Sequence, residues 1–73
     1  MIVQKVTSYN NEVEKVEFIT LEEMLNDYRY YSTNINYDLE VNNNGFTMEN
    51  SNSHYYYSYE ILNKKLSEVI LWN

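Results

Sequence analysis

Cysteine is absent from this 73-residue chain, and histidine occurs once, at His54. No disulfide or cysteine metal site is therefore available to stabilise so small a chain. A catalytic triad would depend on His54 alone, next to Ser53 in a polar loop, where the two side chains cannot easily face each other. We predict no catalytic residue, no metal site and no cofactor, and expect a protein that is not an enzyme.

Long apolar runs are also missing. Residues 1–6 lack the apolar core of a signal peptide, and no stretch reaches the roughly eighteen apolar residues typical of a membrane helix. These absences predict a soluble cytoplasmic protein. The single glycine, Gly45, gives no basis for predicting a ligand pocket in so short a chain.

Basic residues are scarce. Five Lys and Arg against eleven Asp and Glu give a formal net charge of −6. Nucleic acids and anionic membranes attract Lys and Arg, so direct binding to either is not expected. The natural complement of this chain is a basic partner.

The length limits the chain to one domain, predicted to span residues 1–73. A domain of this size buries only about 60% of the surface that its unfolded chain exposes. Its stability must therefore come from tight packing or from oligomerisation.

Tyrosine, by contrast, is abundant, with nine residues. Its ring covers apolar surface while its hydroxyl contacts water or a partner, so a tyrosine-rich acidic surface favours recognition. Tyr28 and Tyr37 fall on predicted apolar faces and are expected in the core. Tyr30, Tyr31 and residues 55–59 remain candidates for contact with a partner.

Two strands and then a helix are predicted in the first half of the chain. Residues 2–9 and 13–19 are rich in β-branched and aromatic residues, and the Asn-Asn-Glu between them predicts a hairpin turn. Thr20 and Glu23 have the spacing of a capping box at the start of a helix. Ile19 and Met24 occupy the two positions of a hydrophobic staple. Apolar residues then recur at helical spacing, which predicts a helix over residues 21–31.

Strict alternation of apolar and polar residues predicts a strand over residues 35–41. Asn44-Gly45 is typical of a hairpin turn with positive φ, so residues 46–50 are expected to pair back. Residues 54–59 fit either a strand or the first turns of a helix. Helical spacing farther on, with Glu60 and Lys64 as an i,i+4 pair, favours a C-terminal helix ending near Leu71. The predicted fold is α+β, an antiparallel sheet of hairpins with two helices in the order ββαββ(β)α.

Acidic side chains supply the most suggestive pattern. Asp38 and Glu40 point the same way on the predicted strand, and Glu49 on the paired strand extends their row. Glu22, Glu23 and Asp27 are predicted to lie away from the apolar face of the helix. Such rows can imitate a nucleic-acid backbone, although ordinary solubility explains an acidic surface equally well.

Nucleic-acid stacking on residues 55–59 is a further alternative, since bases stack on exposed rings. Such platforms also need Lys or Arg to follow the backbone, and no Lys or Arg lies between Arg29 and Lys64. A strand or helix start that uses tyrosine for core and interface is the better interpretation.

In size, charge and tyrosine content the chain resembles the small acidic inhibitors encoded by phages and other mobile elements, including anti-CRISPR and DNA-mimic proteins. The resemblance implies an inhibitor, in the host cytoplasm if phage-encoded, that occludes the basic groove of a larger nucleic-acid-binding enzyme or nuclease. The residues predicted to contact this partner are Glu22, Glu23, Asp27, Tyr30, Tyr31, Asp38, Glu40, Glu49 and Tyr56. The alternative is a structural or regulatory homodimer that buries tyrosines and the apolar residues 69–72.

Overall fold

A computed structural model describes residues 1–62 of the chain. These residues form five strands and one helix. In chain order they are β1 (Ile2–Tyr9), β2 (Glu12–Thr20), α1 (Leu21–Ser32), β3 (Tyr37–Asn42), β4 (Gly45–Asn50) and β5 (Tyr55–Leu62). All neighbouring strands are antiparallel and form one sheet in the order β2-β1-β5-β4-β3.

The predicted N-terminal hairpin is confirmed. Its turn consists of Asn10 and Asn11, which have φ values of 52° and 67°. Asparagine tolerates this left-handed conformation better than most residues, and the conformation suits a tight hairpin turn. The pairing of β1 with β2 is interrupted by a bulge near Glu14, because Lys15 lies opposite Thr7 while Val13 lies opposite Ser8.

The predicted capping box at the start of α1 is confirmed. The hydroxyl of Thr20 accepts a hydrogen bond from the Glu23 amide at 3.1 Å, and the Thr20 amide donates to the Glu23 carboxylate at 3.3 Å. The helix then buries Met24 against the sheet. Because it follows β2 and precedes β3, α1 connects the two edge strands across one face of the sheet.

The second hairpin is confirmed, but its boundaries differ from the prediction. Strand β3 begins at Tyr37, because Asn34 forms a turn that leaves Ile35 95% exposed. The turn residues of the hairpin are Asn43 and Asn44, whereas Gly45 is already the first residue of β4, with a φ of 153°. Glycine is needed there for two reasons. Other residues rarely adopt this φ, and a Cβ would collide with the Tyr59 carbonyl oxygen.

The predicted fold class is wrong. The described residues contain one helix and a five-stranded sheet, not two helices in the order ββαββ(β)α. Residues 60–62, assigned to a C-terminal helix, continue β5, because this strand lies between β1 and β4 and forms ladders with both. A helix starting at Glu60 would give up the pairing of Ile2 with Leu62 and of Val3 with Ile61. The rest of that predicted helix, including the apolar residues 69–72, lies outside the described residues.

The hydrophobic core lies between α1 and the sheet. Phe46 stacks on Tyr59 with ring centroids 4.2 Å apart, and Tyr28 of the helix meets Phe46 edge-on at 5.4 Å. Tyr28 and Tyr37, which were predicted to lie in the core, are half-buried and pack against its margin. The buried apolar residues are Val3, Met24, Phe46, Met48, Tyr59 and Ile61.

Candidate protein-binding surface

The two faces of the sheet differ in what covers them. Successive strand residues point to opposite faces, and α1 covers one of these faces. The strand register assigns the second face, here called the open face, to the residues that alternate with the core. On the central strand β5, for example, Tyr57, Tyr59 and Ile61 face the helix, whereas Tyr56, Ser58 and Glu60 lie on the open face.

Four carboxylates gather on the β3, β4 and β5 half of the open face. Strand β3 contributes Asp38 and Glu40, β4 contributes Glu49, and β5 contributes Glu60. All four are exposed. These residues together with Tyr56, which lies opposite Glu49 in the register, are called the acidic surface below.

Asp38 and Glu49 lie directly opposite each other on β3 and β4. Opposed residues in an antiparallel pair have Cβ atoms about 5 Å apart, and like charges in that arrangement destabilise the sheet. Glu40 lies two residues along β3 from Asp38, about 6.8 Å away. Asp38, Glu40 and Glu49 therefore form a dense array of negative charge, and Glu60 lies farther along the open face, opposite Gly45.

No cation among residues 1–62 neutralises this array. The ion pairs in this part of the chain join Lys5 to Asp27 and Lys15 to Glu17, both at 3.6 Å. Register places both lysines on the helix-covered face, opposite Tyr59 and Thr7. Arg29 lies on α1, where its guanidinium donates to the Asn26 side chain at 3.2 Å. The Lys and Arg side chains of residues 1–62 thus lie on the helix side, where acids are also present, and none of them lies on the acidic surface.

The open face is not flat. A depression of about 260 Å³ lies between the carboxylates, and its lining includes Asp38, Glu40, Thr47, Glu49 and Tyr56. A neighbouring depression of about 400 Å³ extends from Glu60 and Ser58 to the β3–β4 turn. Polar hydroxyl and amide groups line both, so a partner would find hydrogen-bonding groups as well as charge.

The sequence-predicted site residues on α1 lie on the other side of the molecule. Glu22 and Glu23 are exposed in the first turn, and Glu23 is engaged in the capping box. Tyr30 is exposed, whereas Tyr31 is half-buried between Tyr30 and Tyr37, with centroid distances of 4.9 and 4.6 Å. The structure therefore divides the nine predicted residues into a sheet set and a helix set.

The position of Asp27 differs from the prediction. It was expected to lie away from the apolar face of the helix, but its carboxylate accepts a hydrogen bond from the Tyr59 hydroxyl at 2.8 Å and also pairs with Lys5. The reason is that Tyr59 is almost fully buried, and a buried hydroxyl needs a partner. Burial, the hydrogen bond to Asp27 and the nearby carboxylate raise the pKa of Tyr59. Asp27 is thus engaged within the fold.

Sequence reasoning missed Glu60, because the residue was assigned to a helix. The signal was present in the alternation of Tyr57, Tyr59 and Ile61 with Ser58 and Glu60, which is typical of a half-buried strand. Thr47 was missed for a different reason. A lone threonine in a short strand carries no charge and no motif that singles it out.

Other types of site are not supported by residues 1–62. His54 is exposed and lies edge-on to Tyr9, with ring centroids 6.1 Å apart. No three His, Asp or Glu side chains in this part of the chain are grouped so that they could hold a metal ion. None of its helices has the length and hydrophobicity of a membrane span.

No protein-family model, no curated protein and no solved structure matches the chain. Its function is therefore inferred from the geometry of the acidic surface.

Proposed function

We propose that this chain is a non-enzymatic binding protein whose acidic surface docks onto the basic, nucleic-acid-binding groove of a larger protein and blocks it. One observation carries the proposal. Asp38, Glu40, Glu49 and Glu60 lie on one face of the sheet, and the Lys and Arg side chains of residues 1–62 lie on the other side. A partner whose groove is lined with Lys and Arg would supply the missing counter-charges.

The arrangement suits electrostatic recognition. A field of one sign steers an oppositely charged partner into the encounter, which raises the association rate at low salt. The net charge of −6 adds to this attraction at longer range. Inhibition then needs no chemistry, because a rigid sheet seated in the groove excludes nucleic acid by its volume.

Short-range contacts come from the polar and aromatic neighbours of the carboxylates. Tyr56 is exposed and is the one strand tyrosine of the described residues that register places on the open face. Tyrosine is enriched at interfaces because it adds apolar contact and a hydroxyl. Thr47 and Ser58, which lie opposite each other, add hydroxyl groups at the centre of the surface.

The cost of the array in the free chain also favours a role in binding. Opposed like charges on neighbouring strands destabilise a sheet, so Asp38 and Glu49 lower the stability of a small domain. Solubility alone would be served equally well by acids placed apart from each other. Docking against a basic surface removes the repulsion.

A capture experiment with matched variants tests this function. The tagged full-length chain, Asp38→Asn/Glu40→Gln and Glu22→Gln/Glu23→Gln are used to capture proteins from a lysate of the natural host, since glutamine at position 23 can keep the capping box. Both double variants change the net charge by the same amount, but only the first alters the acidic surface. We expect a nucleic-acid-binding protein that the native chain and the helix variant retain and the surface variant loses. Circular dichroism confirms that each variant is folded.

Two further measurements on the captured protein separate occlusion from mere association. Nuclease treatment should increase its capture, because nucleic acid and the acidic surface compete for one groove. Its affinity should fall steeply with salt, since exposed charges are screened over about 10 Å at 0.1 M ionic strength. A complex that survives high salt, or that the helix variant loses as readily as the surface variant, contradicts the proposal.

A further inference from the structure

The outer side of β2 is an unpaired sheet edge in the described structure. This strand has nine residues and pairs with β1 alone among the strands of residues 1–62. An edge strand presents a row of unpaired amide and carbonyl groups, which is a template for pairing with another chain. The edge also carries exposed apolar side chains, with Val13 66%, Val16 48% and Phe18 65% exposed.

The opposite edge, β3, is protected against pairing with a second copy of itself. It has six residues, and its open face carries Asp38 and Glu40. A symmetric pairing centred on Leu39 would oppose Asp38 to Glu40 of the partner subunit, and one centred on Glu40 would oppose Glu40 to itself. Like charges directly opposite each other destabilise a strand pair. Of the two edges, β2 is therefore the one suited to self-association.

The sequence of β2 selects one symmetric register. In an antiparallel pair around a two-fold axis, a residue on the axis lies opposite its own copy. Val16 is the middle residue of Glu12–Thr20, so an axis at Val16 makes the two strands overlap along their length, with regular pairing at residues 15–17 beside the bulge near Glu14. This register also places Lys15 opposite Glu17 of the partner subunit, and Glu17 opposite Lys15 of the partner subunit.

Neighbouring registers are worse. An axis at Glu17 opposes two glutamates, and an axis at Lys15 opposes two lysines. An axis at Phe18 shortens the overlap to residues 16–20. Among these symmetric registers, only the axis at Val16 pairs opposite charges, and the bulge near Glu14 lies outside the central residues 15–17.

We propose that two copies of the chain associate through antiparallel pairing of β2 with β2 around Val16, which joins their sheets into one continuous sheet. The apolar side chains of Val16 meet at the axis on the open face. The acidic surfaces lie at the far ends of the joined sheet and stay free, so the proposal is independent of the function proposed above.

A charge-exchange experiment tests the register. In the proposed register, position 15 of one copy lies opposite position 17 of the other. A dimer of Glu17→Lys therefore places lysine opposite lysine at both pairs, and a dimer of Lys15→Glu places glutamate opposite glutamate. Light scattering and native mass spectrometry should show each variant with a dissociation constant raised about tenfold or more over the native dimer. A mixture of the two variants restores opposite charges and should form a heterodimer of near-native affinity. The Lys15–Glu17 ion pair within one chain is broken in both variants, so it cannot explain the rescue.

Glu22→Lys and Arg29→Glu are the matched controls, because they make the same charge changes on α1. Each should dimerise as the native chain does, alone or mixed. A native chain that is monomeric at all concentrations tested overturns the proposal. So do β2 variants that dimerise normally, because the interface would then lie elsewhere.

Disulfide trapping provides a second readout, and the absence of native cysteine makes it unambiguous. Directly opposed residues in an antiparallel pair have Cα atoms about 4.5–5.5 Å apart, within the range that a disulfide spans. Val16→Cys should therefore form a covalent dimer under mild oxidation much faster than Ile35→Cys, whose position is more exposed but remote from β2. Equal rates overturn the proposed axis.

Discussion

The helix-covered face and the open face of the sheet are built by the same five strands but have different physical character. The covered face holds stacked rings and a satisfied buried hydroxyl, as Phe46, Tyr59 and Asp27 show. The open face holds opposed carboxylates at one end and uncovered apolar side chains at the other, as Asp38 and Phe18 show. The covered face therefore carries most of the stability, which leaves the open face free for recognition.

The largest difference in stability between the two faces is expected when one phenylalanine on each face is replaced by alanine. Phe46→Ala removes a fully buried ring and should cost about 3–5 kcal/mol of unfolding free energy. Phe18→Ala removes a ring that is mostly exposed and should cost less than about 1 kcal/mol. Urea unfolding of the dilute proteins measures both, with Phe46→Leu as a milder variant if Phe46→Ala does not fold. Equal losses would mean that the open face is also a packed face.

Gly45→Ala should cost more than about 2 kcal/mol, because the added methyl group collides with the Tyr59 carbonyl and φ is unfavourable for alanine. The adjacent turn residue provides the control, and Asn43→Ala should change stability by less than about 0.5 kcal/mol. Thermal unfolding of the two variants measures the contrast. Similar melting temperatures would mean that β4 and β5 do not approach as closely as the structure indicates.

Because of Tyr59, we expect the stability of the fold to fall as pH rises in the alkaline range. Its pKa is raised in the folded state by burial and by Asp27, so folding favours the protonated hydroxyl. The stability from this group is fully present below the unfolded pKa, about 10, and is lost as pH rises from there towards the folded pKa. Tyr59→Phe should cost about 1–2 kcal/mol at pH 8 and should reduce the loss of stability between pH 10 and 11. Urea unfolding at three pH values checks this. A Tyr59→Phe curve parallel to that of the native chain would contradict it.

The smallest predicted effect has the opposite sign. Asp38→Asn removes repulsion from Glu49 and should stabilise the fold by about 0.2–1 kcal/mol. A double-mutant cycle with Glu49→Gln isolates the pair, because the second substitution gains little once the first is made. The gain should shrink at high salt. Additive gains would mean that the two carboxylates do not interact.

Local signals in the sequence predicted the parts of the fold that depend on neighbouring residues. The capping box at Thr20 and the turn at Asn10 and Asn11 are specified within a few residues, so both were found. The row formed by Asp38, Glu40 and Glu49 followed from strand periodicity and one hairpin, and its geometry is confirmed.

The errors came from contacts between residues distant in sequence. Helical spacing is present around Glu60, but pairing with β1 and β4 outweighs it and makes the segment a strand. Asp27 is polar and was placed on the solvent side, yet it serves a buried hydroxyl thirty-two residues away. Neither partner can be identified from local periodicity, because each depends on which strands lie side by side.

The position of β5 has a consequence for how the chain folds. It is the last of the described strands in sequence but lies in the middle of the sheet, and it pairs Ile2 with Leu62. Until it is in place, the β1–β2 and β3–β4 hairpins have no ladder between them. Ladders between residues so distant in sequence form slowly, because the entropy of closing the long loop opposes them. During synthesis, the inner edges of β1 and β4 therefore stay open until the chain has been made through residue 62.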